Sequence, residues 1–186
     1  GDQFFYNDPY IAGTHVMDIG LCSTPKNYFA SGALDVDGAA MITASHNPQE
    51  YNGFKLSRNE AVPISYETGI GAIEEMVNNT DSIPDSTGTV EEVDINERYR
   101  NHVLSFLDLD KKLTVVIDAG NGMGGAETED ILAGEDIEII PLYFKPDGSF
   151  PNHEPNPLKL ENMADLQAKV KETGADFGAA FDGDAD

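Results

Sequence analysis

Basic residues are scarce in this sequence: 11 lysines and arginines stand against 34 aspartates and glutamates, a formal net charge of −23. Such a surface repels the phosphates of nucleic acids and of anionic membranes, which excludes both as partners. It repels a phosphorylated small molecule as well, so a site for one must overcome the global field with local lysines, a cation or helix N-termini. Cysteine is nearly absent. The single Cys22 excludes an internal disulfide framework and points to a reducing, cytoplasmic setting. Set in an apolar run, Cys22 reads as a small core residue and not as a nucleophile. Long apolar stretches are missing too: nothing approaches the ~20 consecutive apolar residues that cross a bilayer. The start, Gly1 to Asp8, lacks the basic and apolar segments of a secretory signal.

What is present is enough apolar content, 40% of 186 residues, for one generous domain or two small ones. Strand and helix signals alternate. Thr14–Ile19 reads as a short strand, followed by a turn at Pro25 and a helix over Asn27–Ala33. Gly38–Thr43 is a small, continuous apolar run of the kind that forms a buried parallel strand. Tyr66–Val77 places Ile70, Ile73 and Val77 on one helical face, weakened by Gly69 and Gly71. Residues 78–89, rich in Asn, Asp, Ser, Thr and Pro, read as a loop, and Ile95–Leu107 reads as a helix. The charged, aperiodic stretch Asp108–Lys112 marks a domain boundary.

A second unit follows. Leu113–Ile117 reads as a buried strand, then come a Gly-rich turn, a helix over Ala126–Leu132 and a strand at Ile137–Pro141. A Pro/Asn loop runs from Lys145 to Pro157. Glu161–Glu172 reads as a helix with Met163, Leu166 and Val170 inward, stopped by Gly174, and Phe177–Phe181 is a final strand. This alternation predicts two α/β units with mostly parallel, mixed sheets covered by helices. The stop at Asp186, straight after a strand, and the first thirteen residues without a clear element both suggest a piece of something longer.

Four strings carry possible chemistry. Thr43-Ala-Ser45-His46-Asn-Pro48 follows a strand, where α/β proteins place ligands. His46 can pass a proton near neutral pH, and the Asn52-Gly53 turn can fold Lys55 back toward Ser45. An N-cap serine beside an exposed lysine is the plain alternative. Asp182-Gly-Asp184-Ala-Asp186 sets three carboxylates at alternate positions, a hard-oxygen set suited to Mg²⁺. An EF-hand competes less well, lacking its sixth-position glycine and its twelfth-position glutamate. Gly120, Gly122 and Gly125 satisfy G-x-G-x-x-G with Asp147 downstream, which invites a dinucleotide reading. Tight strand-to-helix packing explains the same glycines, and Asp147 lies in a loop and not at a strand end. Last, Gly148 to Pro157 (GSFPNHEPNP) is a rigid polar loop able to shape a site.

Together, TASHNP-x-x-YNG-F-K, DAGNGMGG, GSFPNHEPNP and FDGDAD resemble the α-D-phosphohexomutase family, which includes phosphomannomutases and phosphoglucomutases. The resemblance runs from about His15 to Asp186, with four motifs in the family's order. It implies the first two domains of a four-domain enzyme: residues 1–108 bearing the phosphoserine and 109–186 bearing the metal loop. It further implies that Ser45 carries the phosphoryl group and joins Asp182, Asp184 and Asp186 in holding one Mg²⁺. His46 and Lys55 become the acid/base candidates. The implied reaction interconverts hexose 1-phosphate and hexose 6-phosphate through a 1,6-bisphosphate, with glucose 1,6-bisphosphate as activator or intermediate, in a monomer or homodimer.

The sequence departs from the family in showing no Gly-Arg-Asp-x-Arg arm ahead of residue 14. The arginine that follows the metal loop in the family, and the family's third and fourth domains, are not among the 186 residues, which alone are expected to be inactive. Tyr51 before Asn-Gly leans toward the mannose/glucose branch and away from the glucosamine branch. The rival readings are a non-catalytic fragment that binds Mg²⁺ and phosphosugar, a phosphoglucosamine mutase, and a nucleotide-dependent oxidoreductase resting on the glycine spacing alone.

Overall fold

A computed structural model describes residues 13–80 and 88–186. The first unit is built from two small sheets. β1 (His15–Asp18) pairs in parallel with β4 (Thr89–Glu92). β2 (Gly38–Ile42) pairs antiparallel with β3 (Phe54–Arg58), setting Met41 opposite Lys55. The expectation of a buried parallel strand over 38–43 is therefore corrected, and of β2 only Met41 is buried. The physical reason lies in the connection. Residues 43–53 contain no helix that could carry the chain back for a parallel pairing, which needs a crossover of a dozen or more residues.

Helix α1 (Thr24–Ala33) begins three residues before the expected start. Ser23 caps it by accepting the Lys26 backbone N–H, and Pro25 sits in the first turn, where its missing N–H costs nothing. An irregular turn at Tyr66–Ile70 leads into α2 (Gly71–Asn79). The apolar face expected there is present in sequence but is not buried: Val77 is 70% and Ile73 37% exposed. The loop expected over 78–89 lies largely outside the described residues, and strand β4 at its far end was not expected. Helix α3 (Asn96–Leu104) packs Tyr99 and His102 against Phe29 of α1, with ring centroids 5.5 and 4.8 Å apart.

The second unit matches its expectation closely. β5 (Leu113–Asp118) lies between β6 (Ile137–Leu142) and β7 (Phe177–Ala180), parallel to both. Its central position buries Val115, Val116 and Ile117, which explains why LTVVI is apolar without alternation. Helix α4 (Gly124–Leu132) follows β5. Helix α5 (Ala164–Thr173) lays the buried Leu166 over β7, where a Cβ on Gly178 would come within 2.8 Å of the leucine's Cδ1.

Helices α1, α3 and α4 tie the chain together. Arg100 of α3 donates to the carbonyl of Ala133 at 2.8 Å. Lys26 of α1, itself buried, stands 3.6 Å from Glu127 of α4, and Glu127 also accepts the Ser23 N–H at 2.9 Å. No helix among the described residues is long and apolar enough to cross a membrane.

Candidate active site

The serine and the aspartates, 137 positions apart, are in direct contact. The Ser45 hydroxyl donates to Asp182 Oδ2 at 2.6 Å. Ser45 follows β2 with a left-handed φ of 52°, a conformation that costs a non-glycine residue roughly 1 kcal/mol or more. The turn is held by the Ser45 N–H donating to Thr43 Oγ1 at 2.8 Å. It also presses its carbonyl onto the acidic loop. A Cβ on Gly183 would lie 2.4 Å from the Ser45 oxygen and one on Gly122 2.6 Å from the Gly183 oxygen, so three backbones stack where only glycine fits. Gly125 lies equally close to Phe144. The glycines of the G-x-G-x-x-G spacing thus serve close packing.

Asp182, Asp184 and Asp186 each offer one oxygen, and these lie within 4.8 Å of one another. Asp182 and Asp184 are buried, and Asp186 is exposed. The turn gathers itself: Asp182 Oδ1 accepts the backbone N–H groups of Asp184 and Asp186. Asp184 Oδ2 is heavily engaged, accepting from Thr24 Oγ1 at 2.7 Å, Thr43 Oγ1 at 2.8 Å and Lys55 at 2.9 Å. Its other oxygen, Oδ1, is buried with no hydrogen-bond partner. A bare carboxylate oxygen in the interior is costly unless something cationic meets it. The three threonine and lysine bonds therefore fix which oxygen Asp184 presents. Three hard oxygen donors with one left open form a set that can hold a divalent cation.

These contacts set the charge states. Burial pushes the Asp182 carboxyl up, against the Ser45 hydrogen bond that favours its ionised form. For Asp184 burial also acts upward, but the bonds from Thr24, Lys55 and Thr43 outweigh it and hold the carboxyl below its ordinary range. Burial alone would lower the Lys55 ammonium. Its hydrogen bonds to Asp186 and Asp184 prevail and hold it above the usual lysine value.

Lys55 lies where β3 carries it, 2.7 Å from Asp186, bound to the aspartates and not to Ser45. His46 Nδ1 stands 3.3 Å from Ser45 Oγ and 3.8 Å from Asp182. All the expected residues are thus brought together. Of these residues Ser45 alone lines a cleft of about 300 Å³, walled by Asn47, Tyr51 and Asn52 on one side and by Gly148 and Phe150 of the 145–157 loop on the other. Reading the sequence missed Thr24 and Thr43. The Ser-Thr-Pro string at 23–25 was a usable signal for the first, as a helix start whose N-terminus points at something.

The fold has known counterparts. A solved Burkholderia thailandensis structure titled as a phosphoglucomutase/phosphomannomutase family protein superposes with a TM-score of 0.82 and 35% identity, over 94% of this chain and 39% of that one. The architecture is therefore that of about two fifths of a phosphohexomutase chain. Residues 10–84 match "Phosphoglucomutase/phosphomannomutase, alpha/beta/alpha domain I" and residues 97–186 match "alpha/beta/alpha domain II". The chain belongs to the phosphoglucomutase/phosphomannomutase family.

Among its relatives, a Pseudomonas syringae protein named phosphomannomutase/phosphoglucomutase is 42% identical over 175 residues, covering 94% of this chain and 37% of the relative. An Escherichia coli phosphomannomutase is 40% identical over 94% of this chain and 41% of its own. The chain spans about two fifths of the length of these curated relatives.

Proposed function

We propose that this chain provides the phosphoryl-carrying and metal-binding parts of a phosphohexomutase acting on mannose or glucose phosphates. The observation that carries the reading is the 2.6 Å bond from Ser45 to Asp182, inside a carboxylate loop that also holds Lys55. In the loading half-reaction, the bond from phosphorus to the sugar oxygen breaks as the bond from phosphorus to Ser45 Oγ forms. The serine's proton leaves Oγ, and the sugar oxygen gains one. His46, 3.3 Å from Oγ, is the candidate base for the serine's proton. Lys55, an ammonium held beside Asp184 and Asp186, is the candidate acid that gives the leaving sugar oxygen its proton.

Asp182, Asp184 through its open Oδ1, Asp186 and Ser45 would hold Mg²⁺, and the donor set fits it. When bound it would offset charge on the phosphoryl oxygens. The protein's own task is to keep a strongly anionic phosphoserine, about −1.5 to −2, inside a chain of net charge −23. Lys55 and a cation supply the local positive charge that this requires. Tyr51, exposed at the rim of the cleft, is placed to meet the sugar.

Incubation with glucose 1,6-bisphosphate followed by phosphopeptide mapping tests the reading. Phosphate on the peptide containing Ser45, absent in Ser45→Ala, is the expected result. An unphosphorylated Ser45 in protein that binds Mg²⁺ and hexose phosphate would instead favour the non-catalytic binding fragment.

A further inference from the structure

Two Asn-Gly pairs stand in this sequence, Asn52-Gly53 and Asn121-Gly122, and the phosphoryl-transfer reading uses the side chain of neither asparagine. Asparagine is chemically labile, and most so ahead of glycine. The backbone nitrogen of the next residue can attack the side-chain carbonyl carbon, and glycine offers no Cβ to obstruct the approach. The two pairs share this chemistry and differ in access to it.

At the first pair the way is open. Asn52 is exposed and lies in the 43–53 segment, which contains no helix or strand. The Gly53 N–H donates to Asn52's own Oδ1 at 2.9 Å, so the attacking nitrogen already stands beside the carbonyl it would attack. At the second pair the way is closed. Asn121 is 7% exposed, its Nδ2 donates to the Lys145 carbonyl at 2.8 Å, and its Oδ1 accepts from Asn152 at 2.7 Å. The Gly122 N–H is turned away, donating to the Ala119 carbonyl at 2.7 Å. Its backbone is also pressed on Gly183, whose oxygen would lie 2.6 Å from a Cβ at Gly122. An amide pinned at both ends cannot swing toward a nitrogen that is itself engaged.

We propose that Asn52 is a site of spontaneous deamidation, which turns a neutral wall of the Ser45 cleft anionic. The Gly53 nitrogen loses its proton and bonds to Asn52 Cγ. The bond from Cγ to Nδ2 breaks, and Nδ2 leaves with a proton as ammonia. Water then opens the cyclic imide at either carbonyl, giving aspartate or isoaspartate. Asn52 and Ser45 line the same cleft, so the new carboxylate faces the space that a phosphorylated ligand must enter. That consequence, unlike the modification, rests on the function proposed above.

The modification is tested by peptide mapping of the whole chain held at pH 8.5. The peptide containing Asn52 should convert to aspartate and isoaspartate, while the peptide containing Asn121 stays an amide until urea is added. Gly53→Ala should slow the conversion roughly tenfold. The fold admits that methyl, because Gly53 has no left-handed φ and a Cβ there would meet only the Thr43 carbonyl, at 3.4 Å. Equal conversion of both pairs in the folded protein, an Asn52 that stays an amide, or undiminished conversion in Gly53→Ala would overturn the proposal. In Asn52→Asp, half-maximal phosphate uptake should need roughly tenfold more glucose 1,6-bisphosphate, and an unchanged requirement would refute the effect on the cleft. A Ser45 that takes up no phosphate even in unmodified protein would refute the phosphoryl-transfer reading instead, and the peptide maps would still decide the modification.

Discussion

The two halves of this chain solve different problems. In the second, β5 is sandwiched between parallel neighbours and buries Val115 through Ala119 without a break. In the first, the β2–β3 ribbon that carries Ser45 and Lys55 buries only Met41 and Ser57. Burial is concentrated where the carboxylates are held, and exposure around the strand that leads to Ser45. The comparison teaches that the proposed phosphoryl carrier is mounted on the weaker scaffold and receives its order from contacts with the stronger one: Ser45 to Asp182, Thr24 and Thr43 to Asp184, and Gly183 under the serine carbonyl.

The sharpest way to break that comparison is to remove the serine. Ser45→Ala should lose all phosphate uptake from glucose 1,6-bisphosphate by intact mass, and should cost only about 1 kcal/mol in urea unfolding through the lost bond to Asp182. Next in size, Asp184→Asn should weaken Mg²⁺ binding by calorimetry by about tenfold or more, because the buried open oxygen is then offered without charge. Gly183→Ala tests the contact between halves directly. Its methyl would sit 2.4 Å from the Ser45 carbonyl, and the forced separation should cost about 1–3 kcal/mol in urea unfolding.

A paired substitution then measures the difference in packing. Val116→Ala, at a position that is 0% exposed, should cost about 2 kcal/mol, whereas Val77→Ala, at 70% exposure, should stay within about 0.5 kcal/mol. The smallest effect concerns Cys22. Burial, and after it the nearby Glu127, pushes its thiol from 9.0 up to about 11. The folded protein therefore keeps the proton where an unfolded thiol loses it. Alkylation by iodoacetamide at pH 8.5 should be slow until urea is added. By linkage, stability should be level below about pH 9 and decline between pH 9 and 11.

How much was legible follows the same division. The β5 run, Leu166 on α5 and the αL stop at Gly174 were all readable, because a buried parallel strand and an amphipathic helix write their patterns locally. The three aspartates and Ser45 were readable as strings of donors. Strand β3 was not, because Phe-Lys-Leu-Ser-Arg has one side facing the site and its buried position filled by a serine, Ser57. A pattern of that kind looks like the polar turn before it. Nor could spacing reveal that Thr24 hydrogen-bonds Asp184, since nothing in a local window records a partner 160 residues away. The exposed α2 face shows the opposite failure: amphipathic periodicity states what a helix could bury, and not that anything lies against it.

That long link between Thr24 and Asp184 also bears on when the protein becomes competent. Residue 24 leaves the ribosome long before residue 184, so the serine loop is synthesised without the carboxylates that order it. Closing so distant a contact is among the slower events in folding. Phosphate on Ser45 would then act as a time stamp, marking only those molecules in which the beginning and the end of this stretch have already found each other.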